Sequence, residues 1–233
     1  MKLHWSPRSP FVRKVMIVLH EKGLTGRVER IRTVAMMTAI PKTDLLRDNP
    51  LGKIPALVLD DGTTLFDSRV ICEYLDGVGE GGALLPAAFE LRIECLRWQA
   101  LGDGVTDILL LWRVEQGRGH GINQMVSDGF DAKVRAAMAR LDAEASILES
   151  RPFGLGHISI VCMLAQLDFR FPDCGWRAAY PALAKWSDQS RLRPSFLATE
   201  VRDDGAAAMG EVVMPLSFSG PLVTPSPTTA ASQ

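Results

Sequence analysis

Three short stretches hold residue types that can do chemistry. Ser9-Pro10 follows a short partly apolar segment and opens a helical pattern. Serine is a preferred N-cap, and proline is tolerated at the first helical position because its missing N–H would have no partner there. The same hydroxyl sits at the positive end of the helix, where it can donate to a ligand atom and favour that atom's anionic form. Each unit by which such an interaction lowers a pKa is about 1.4 kcal/mol. Ser6 and, further off, His4 are the other groups near this turn. Ile54-Pro55 precedes the apolar run Ala56–Leu59. An X-Pro bond is cis in only about 5–6% of cases, so by themselves these residues predict a proline at the start of a strand. Asp67-Ser68 heads a second helical pattern. It can cap that helix, and a helix N-terminus is equally a site for a carboxylate.

The surrounding elements must hold these groups. Residues 2–6 read as a strand, and Val12, Val15, Met16 and Leu19 repeat at helical spacing until Gly23. Arg27–Arg32 reads as a second strand. Residues 33–49 carry Pro41 and room for one short helix. Ala56–Leu59 and Thr63–Phe66 flank Asp60-Asp61-Gly62, a hairpin turn, and a helix follows with Val70, Ile71, Tyr74 and Leu75 on its apolar face. The order β-α-β, irregular, β-β-α predicts a mixed sheet with one parallel crossover. Beyond a glycine-rich linker, only helices are predicted. The first runs from Leu91 through Trp98 and Trp112 and is weakened by Gly102 and Gly104. Met125–Leu148 reads as one helix, 157–170 as a very apolar central one, and Pro181–Gln189 and Ser195–Val201 as two short ones. From Arg202 onward Ala, Gly, Ser, Thr and Pro dominate, which predicts a disordered tail. The expected division is 1–76, linker 77–86, helical domain 87–201 and tail 202–233.

Composition narrows the function classes. The chain has 233 residues, 26 basic and 27 acidic, with a formal net charge of -1. No basic stripe supports a nucleic-acid partner. No apolar run, Ile108–Trp112 among them, is long enough to cross a membrane. No secretory leader is apparent, so a soluble cytoplasmic protein is expected. Cys72, Cys95, Cys162 and Cys174 form no C-x-x-C pair, and the four histidines stand at no metal-ligand spacing. Buried thiols and no metal are expected.

The motifs in order resemble the cytosolic glutathione S-transferases of bacterial type. Ser6–Val15 is similar to the family's N-terminal motif. Asn49-Pro-Leu-Gly-Lys-Ile-Pro-Ala56 resembles its loop and proline before the third strand, and Leu65–Leu75 its acidic-Ser motif. Leu167–Phe171 and Arg193–Phe196 match its helical half. The resemblance covers roughly residues 1–200. It implies a thioredoxin-like α/β domain followed by an all-helical bundle, glutathione as co-substrate, a homodimer and a detoxification role. It implies that Ser9 activates the thiol, with Ser6 the runner-up. It implies a cis Pro55, with the Ile54 backbone pairing to the cysteinyl part of glutathione. Ser68 and Asp67 would hold its γ-glutamyl end, and Lys42 or Lys53 its glycyl carboxylate. The second substrate would be a small apolar electrophile or a peroxide, lying between the domains against Phe11, Trp98 and Trp112.

Two departures from the family pattern matter. No cysteine stands near Ser9, and serine cannot form a mixed disulfide, so conjugation or peroxide reduction is expected over disulfide exchange. The family's Ser/Thr-x-x-Asp capping box before the central helix is replaced by Gly154-Leu-Gly-His157. A lost cap costs on the order of 1 kcal/mol, so Gly154→Ser with His157→Asp is expected to raise the melting temperature. Two alternatives remain open on sequence. One is a non-catalytic regulatory or assembly module of this fold. The other is a glutathione-dependent isomerase or dehalogenase sharing the thiol site.

Overall fold

Alternating short apolar runs build a mixed four-stranded sheet. The computed structural model describes residues 1–205 and 216–219. Its strands are β1 (Lys2–Trp5), β2 (Glu29–Arg32), β3 (Ala56–Val58) and β4 (Thr64–Leu65), in the side-by-side order β2-β1-β3-β4. β1 runs parallel to β2 and antiparallel to β3, and β3 is antiparallel to β4. The parallel pair needs a crossover, supplied by α1 (Pro10–Glu21). Gly23, at φ 65°, ends it: the Leu24 N–H reaches back to the Leu19 carbonyl at 2.8 Å. The predicted hairpin turn forms at Gly62, with the Thr63 N–H donating to Asp61 Oδ1 at 2.8 Å. The irregular segment holds one helix, α2 (Thr43–Asp48), and α3 (Ser68–Val78) completes this half.

The helical half comprises α4 (Phe89–Gln116), α5 (Gln124–Ala143), α6 (Ala145–Ser150), α7 (Leu155–Arg170), α8 (Trp176–Ala179), α9 (Pro181–Ser190) and α10 (Pro194–Leu197). Helix α7 is buried from Leu155 to Leu167, as its apolar run predicts. The α4 glycines do not break their helix. A Cβ on Gly102 would stand 2.7 Å from the Ser159 carbonyl carbon, and one on Gly156 would stand 2.6 Å from the Cys95 oxygen. These two positions let α4 and α7 pack backbone against backbone.

α1 packs against α3, α7 and α10 and is buried along most of its length. Val12, Val15 and Ile17 fill the core, but the same placement buries Lys14. An unpaired buried ammonium would be costly. Lys14 Nζ meets Asp103 on α4 at 2.8 Å, and Arg69 on α3 donates to the same carboxylate at 2.9 Å. This triad ties the two halves together across three helices.

Several elements differ from expectation. The helix expected over Met125–Leu148 is interrupted at Glu144. That carboxylate takes hydrogen bonds from Arg97 at 2.9 Å and Trp98 Nε1 at 2.7 Å, with Arg140 also engaged. Burial alone would raise its pKa, but these three donors outweigh burial and hold it at about 2. The helix expected over Ser195–Val201 ends at Leu197. The glycine-rich linker is pinned: Asp76 accepts from the Leu84 and Leu85 amides at 2.9 and 3.0 Å, and Lys22 bonds the Gly82 carbonyl at 3.1 Å.

Of the tail expected from Arg202 onward, residues 202–205 and 216–219 are described, and they make contacts. Asp203 and Asp204 pair with Arg8, and Leu216 and Phe218 are buried. The Phe218 N–H meets the Cys174 carbonyl at 2.7 Å, and Tyr180 packs edge-on against the Phe218 ring. Leu216 and Phe218 are the two large apolar side chains among these described residues, and both join the hydrophobic core. Residues 206–215 and 220–233, also within that expectation, lie outside the described residues.

Candidate functional site

The N-terminus of α1 is built as its sequence predicts. Ser9 Oγ accepts the Val12 N–H at 3.2 Å, and Pro10 occupies the first turn. Accepting uses a lone pair and leaves the hydroxyl proton available to donate. Ser6 is nearly buried, and its oxygen lies 3.4 Å from the Arg8 amide. Both ring nitrogens of His4 are engaged. Its Nδ1 meets Thr33 Oγ1 and its Nε2 meets Asp48 Oδ2, both at 2.9 Å. The bond from His4 holds the Asp48 carboxyl below the usual range.

The Ile54–Pro55 bond is cis. The preceding loop is set by Asn49, whose side chain is 1% exposed. Its Nδ2 donates to the Lys53 carbonyl at 2.8 Å, and its Oδ1 takes the Leu51 amide at 3.0 Å. Gly52 makes the turn at φ 63°. The role of Asn49 was not visible in sequence, because an asparagine before Pro50 reads only as a turn former. At the third motif, Asp67 caps α3 by accepting the Arg69 N–H at 2.9 Å, and Ser68 follows it, buried, at the positive end of the helix.

A cavity of about 620 Å³ opens between the halves. Ser6, Ser9, Phe11, Lys53 and Ile54 line it, so two segments distant in sequence converge there. Lys42, Pro55, Asp67 and Ser68 are not part of its wall. Across from Ser9 stands one face of α4: Asp107, Leu110, Leu111 and Val114, at helical spacing. Burial raises the Asp107 carboxyl, while Lys53 nearby opposes that shift.

Trp98 and Trp112, expected in this wall, belong to the core. They are 1% and 5% exposed. Trp98 bonds Glu144, and Trp112 packs against Phe130 and Phe171. Spacing alone does not tell which face of a long helix a tryptophan serves. The cavity also gathers Arg113 on α4 with Gln166 and Arg170 on α7, none of which sequence reading singled out. Isolated arginines on amphipathic helices read as solvated charge.

Among the described residues no helix is long and apolar enough to cross a membrane, and no cluster of His, Cys, Asp and Glu could hold a metal ion. All four cysteines are buried, and burial pushes the Cys72 and Cys162 thiols up to about 12 and about 11. They are poor nucleophiles.

Family comparison agrees with this architecture. Residues 8–78 match the family model for the glutathione S-transferase N-terminal domain, and residues 124–189 match that for the C-terminal domain. The chain belongs to the glutathione S-transferase family. Its sheet half is therefore the thioredoxin-like domain, followed by the helical one. It is 32% identical over 205 residues to the uncharacterised GST-like protein YibF of Escherichia coli K12, covering 86% of this chain and 98% of that one. It is 42% identical over 208 residues to glutathione S-transferase 3 of Zea mays, covering 85% of this chain and 92% of that one. A crystal structure of a glutathione transferase family member from Pseudomonas fluorescens Pf-5, with bound glutathione, superposes with a TM-score of 0.83 at 42% identity. It covers 87% of this chain and 99% of that one.

Proposed function

We propose that the protein is a glutathione transferase that ionises glutathione beside Ser9 and directs the thiolate at a small electrophile with apolar surface, or at a peroxide. The observation that carries this reading is convergence. The Ser9 turn and the Ile54 loop open on one cavity, and the opposite wall is an apolar face of α4. In this reading the Ser9 hydroxyl donates to the sulfur, aided by the positive end of α1. Backbone groups of Ile54 pair with the cysteinyl unit. Ser68 takes the γ-glutamyl carboxylate at the α3 N-terminus, and Asp67 faces its ammonium. Lys53, in the cavity wall, suits the glycyl carboxylate better than Lys42, which lies outside it. The bound glutathione in the Pseudomonas relative supports the ligand.

The reading includes a cytoplasmic, detoxifying enzyme that works as a homodimer. Val70 on α3 and Phe89 and Ile93 on α4 are exposed, and Glu73 and Arg92 join the two helices at 2.7 Å. This face would seat a second copy.

Calorimetric titration of glutathione tests the reading. Saturable binding to the parent protein is expected. Ser68→Ala should weaken it about tenfold or more, the cost of one charge-assisted hydrogen bond. A parent protein that takes up no glutathione would contradict the reading and favour a regulatory or assembly module of the same fold.

A further inference from the structure

The cavity wall carries charged groups of two kinds. Near Ser9 and Ile54 it carries Lys53 and Asp107. The same wall also holds Arg8, Arg32, Arg113 and Arg170. Arg8 and Arg32 are engaged by Asp203 and Asp204: Arg8 pairs with both, and Arg32 Nε reaches Asp204 at 2.8 Å. Arg113 and Arg170 have no carboxylate in ion-pair contact among the described residues. The Nε of Arg170 is buried without a hydrogen-bond partner. Arg113, half-buried on α4, and Arg170, half-buried at the end of α7, face the same space. Leu110 and Val114 line the same cavity beside Arg113.

Bringing like charges together in a half-buried wall is unfavourable unless an anion joins them. The guanidiniums register that cost. Burial, with Arg113 and Arg8 adding to it, pushes Arg170 down to about 10, and burial followed by Arg8 lowers Arg113. Asp203 acts favourably on both, but it is already paired with Arg8. Both guanidiniums remain charged at neutral pH, and each offers a planar fork of donors that suits a carboxylate. Gln166, 2% exposed, has its side-chain oxygen unpaired in the same wall. Turned by half a rotation about its last bond, that amide would present N–H donors instead.

We propose that the electrophile accepted by this protein carries a carboxylate on an apolar body, and that Arg113 and Arg170 together hold that carboxylate. The proposal rests on the glutathione-transferase reading and names the substrate class for that site. The apolar body lies along Leu110 and Val114, and the charged end sets its direction. An acceptor lacking the acid group would fill the same space without orientation.

The test uses glutathione conjugates, which bind without turnover. S-(2-carboxyethyl)glutathione is compared with S-propylglutathione, and S-(5-carboxypentyl)glutathione with S-hexylglutathione, by calorimetry on the full chain. The parent should bind the acid of at least one pair tenfold or more tightly than its alkyl counterpart. In Arg113→Met/Arg170→Met that preference should fall to within twofold. Titration with S-hexylglutathione reports whether the variant keeps its fold. Equal or weaker binding of both acids by a parent that binds glutathione overturns the proposal alone. A preference that survives in the folded double variant overturns it as well. A parent that binds neither glutathione nor any conjugate overturns the underlying reading, and the proposal with it.

Discussion

Ser9 shows how one side chain serves two purposes. Its oxygen caps α1 by accepting the Val12 N–H, and its proton remains free for a ligand. The cap alone justifies a serine here, so the residue type was legible and its second use was not. The same holds for Asp67, whose capping bond to the Arg69 amide is fully accounted for by helix formation. What raises these residues above caps is where their neighbours lie. Ser9 and Ile54, distant in sequence, share one cavity wall. Residue spacing read the tryptophans wrongly for a related reason. Helical periodicity marks a buried stripe, but Trp98 is claimed by Glu144, and Trp112 by two phenylalanines, before either could reach a ligand. Arg113 and Arg170 were invisible for the opposite reason. A single arginine on a helix looks solvated until another helix brings a second one beside it.

At the scale of elements, the strand order and the start of each N-terminal helix were readable, because turn glycines and caps act locally. Breaks set by long-range partners were not. The interruption at Glu144 depends on Arg97 and Trp98, from another helix. The start of α7 corrects the sequence-based expectation most sharply. The Gly154 N–H donates to His157 Nδ1 at 3.2 Å, and His157 Nε2 meets the Leu148 carbonyl at 3.0 Å. Accepting at Nδ1 while donating at Nε2 fixes a neutral ring, and burial lowers its pKa accordingly. His157 therefore supplies half of a capping box in place of the absent carboxylate. Gly154 is also required sterically, since a Cβ there would lie 2.3 Å from the Leu84 oxygen, which itself accepts the Leu155 N–H at 2.9 Å. Gly154→Ser, expected from sequence to stabilise, should instead lower the melting temperature by several degrees, a loss of about 1–3 kcal/mol from displacing the linker. Differential scanning calorimetry checks this, and an unchanged or higher melting temperature would show that the linker yields freely.

At the scale of the whole molecule, each half supplies one side of the cavity, and the Lys14–Asp103–Arg69 triad fixes their relation. That triad was not legible, because a lysine in an apolar helix gives no hint of a partner 89 residues away. The exposed face of Val70, Phe89 and Ile93 carries a prediction of its own. Phe89, 70% exposed, should anchor the second copy, so Phe89→Asp should convert a dimer to a monomer in sedimentation velocity. A parent protein that sediments as a monomer at micromolar concentration would remove the homodimer from the account. The central claim is that the two halves meet around an activated thiol. Its most direct test follows the ultraviolet difference absorption of the glutathione thiolate as pH is raised, in the parent and in Ser9→Ala. The account predicts thiolate in the parent well below pH 8.5, the ordinary range of a free thiol, and a shift toward that range in the variant. Bound glutathione that ionises no earlier than free glutathione, or equally early without the Ser9 hydroxyl, would contradict it.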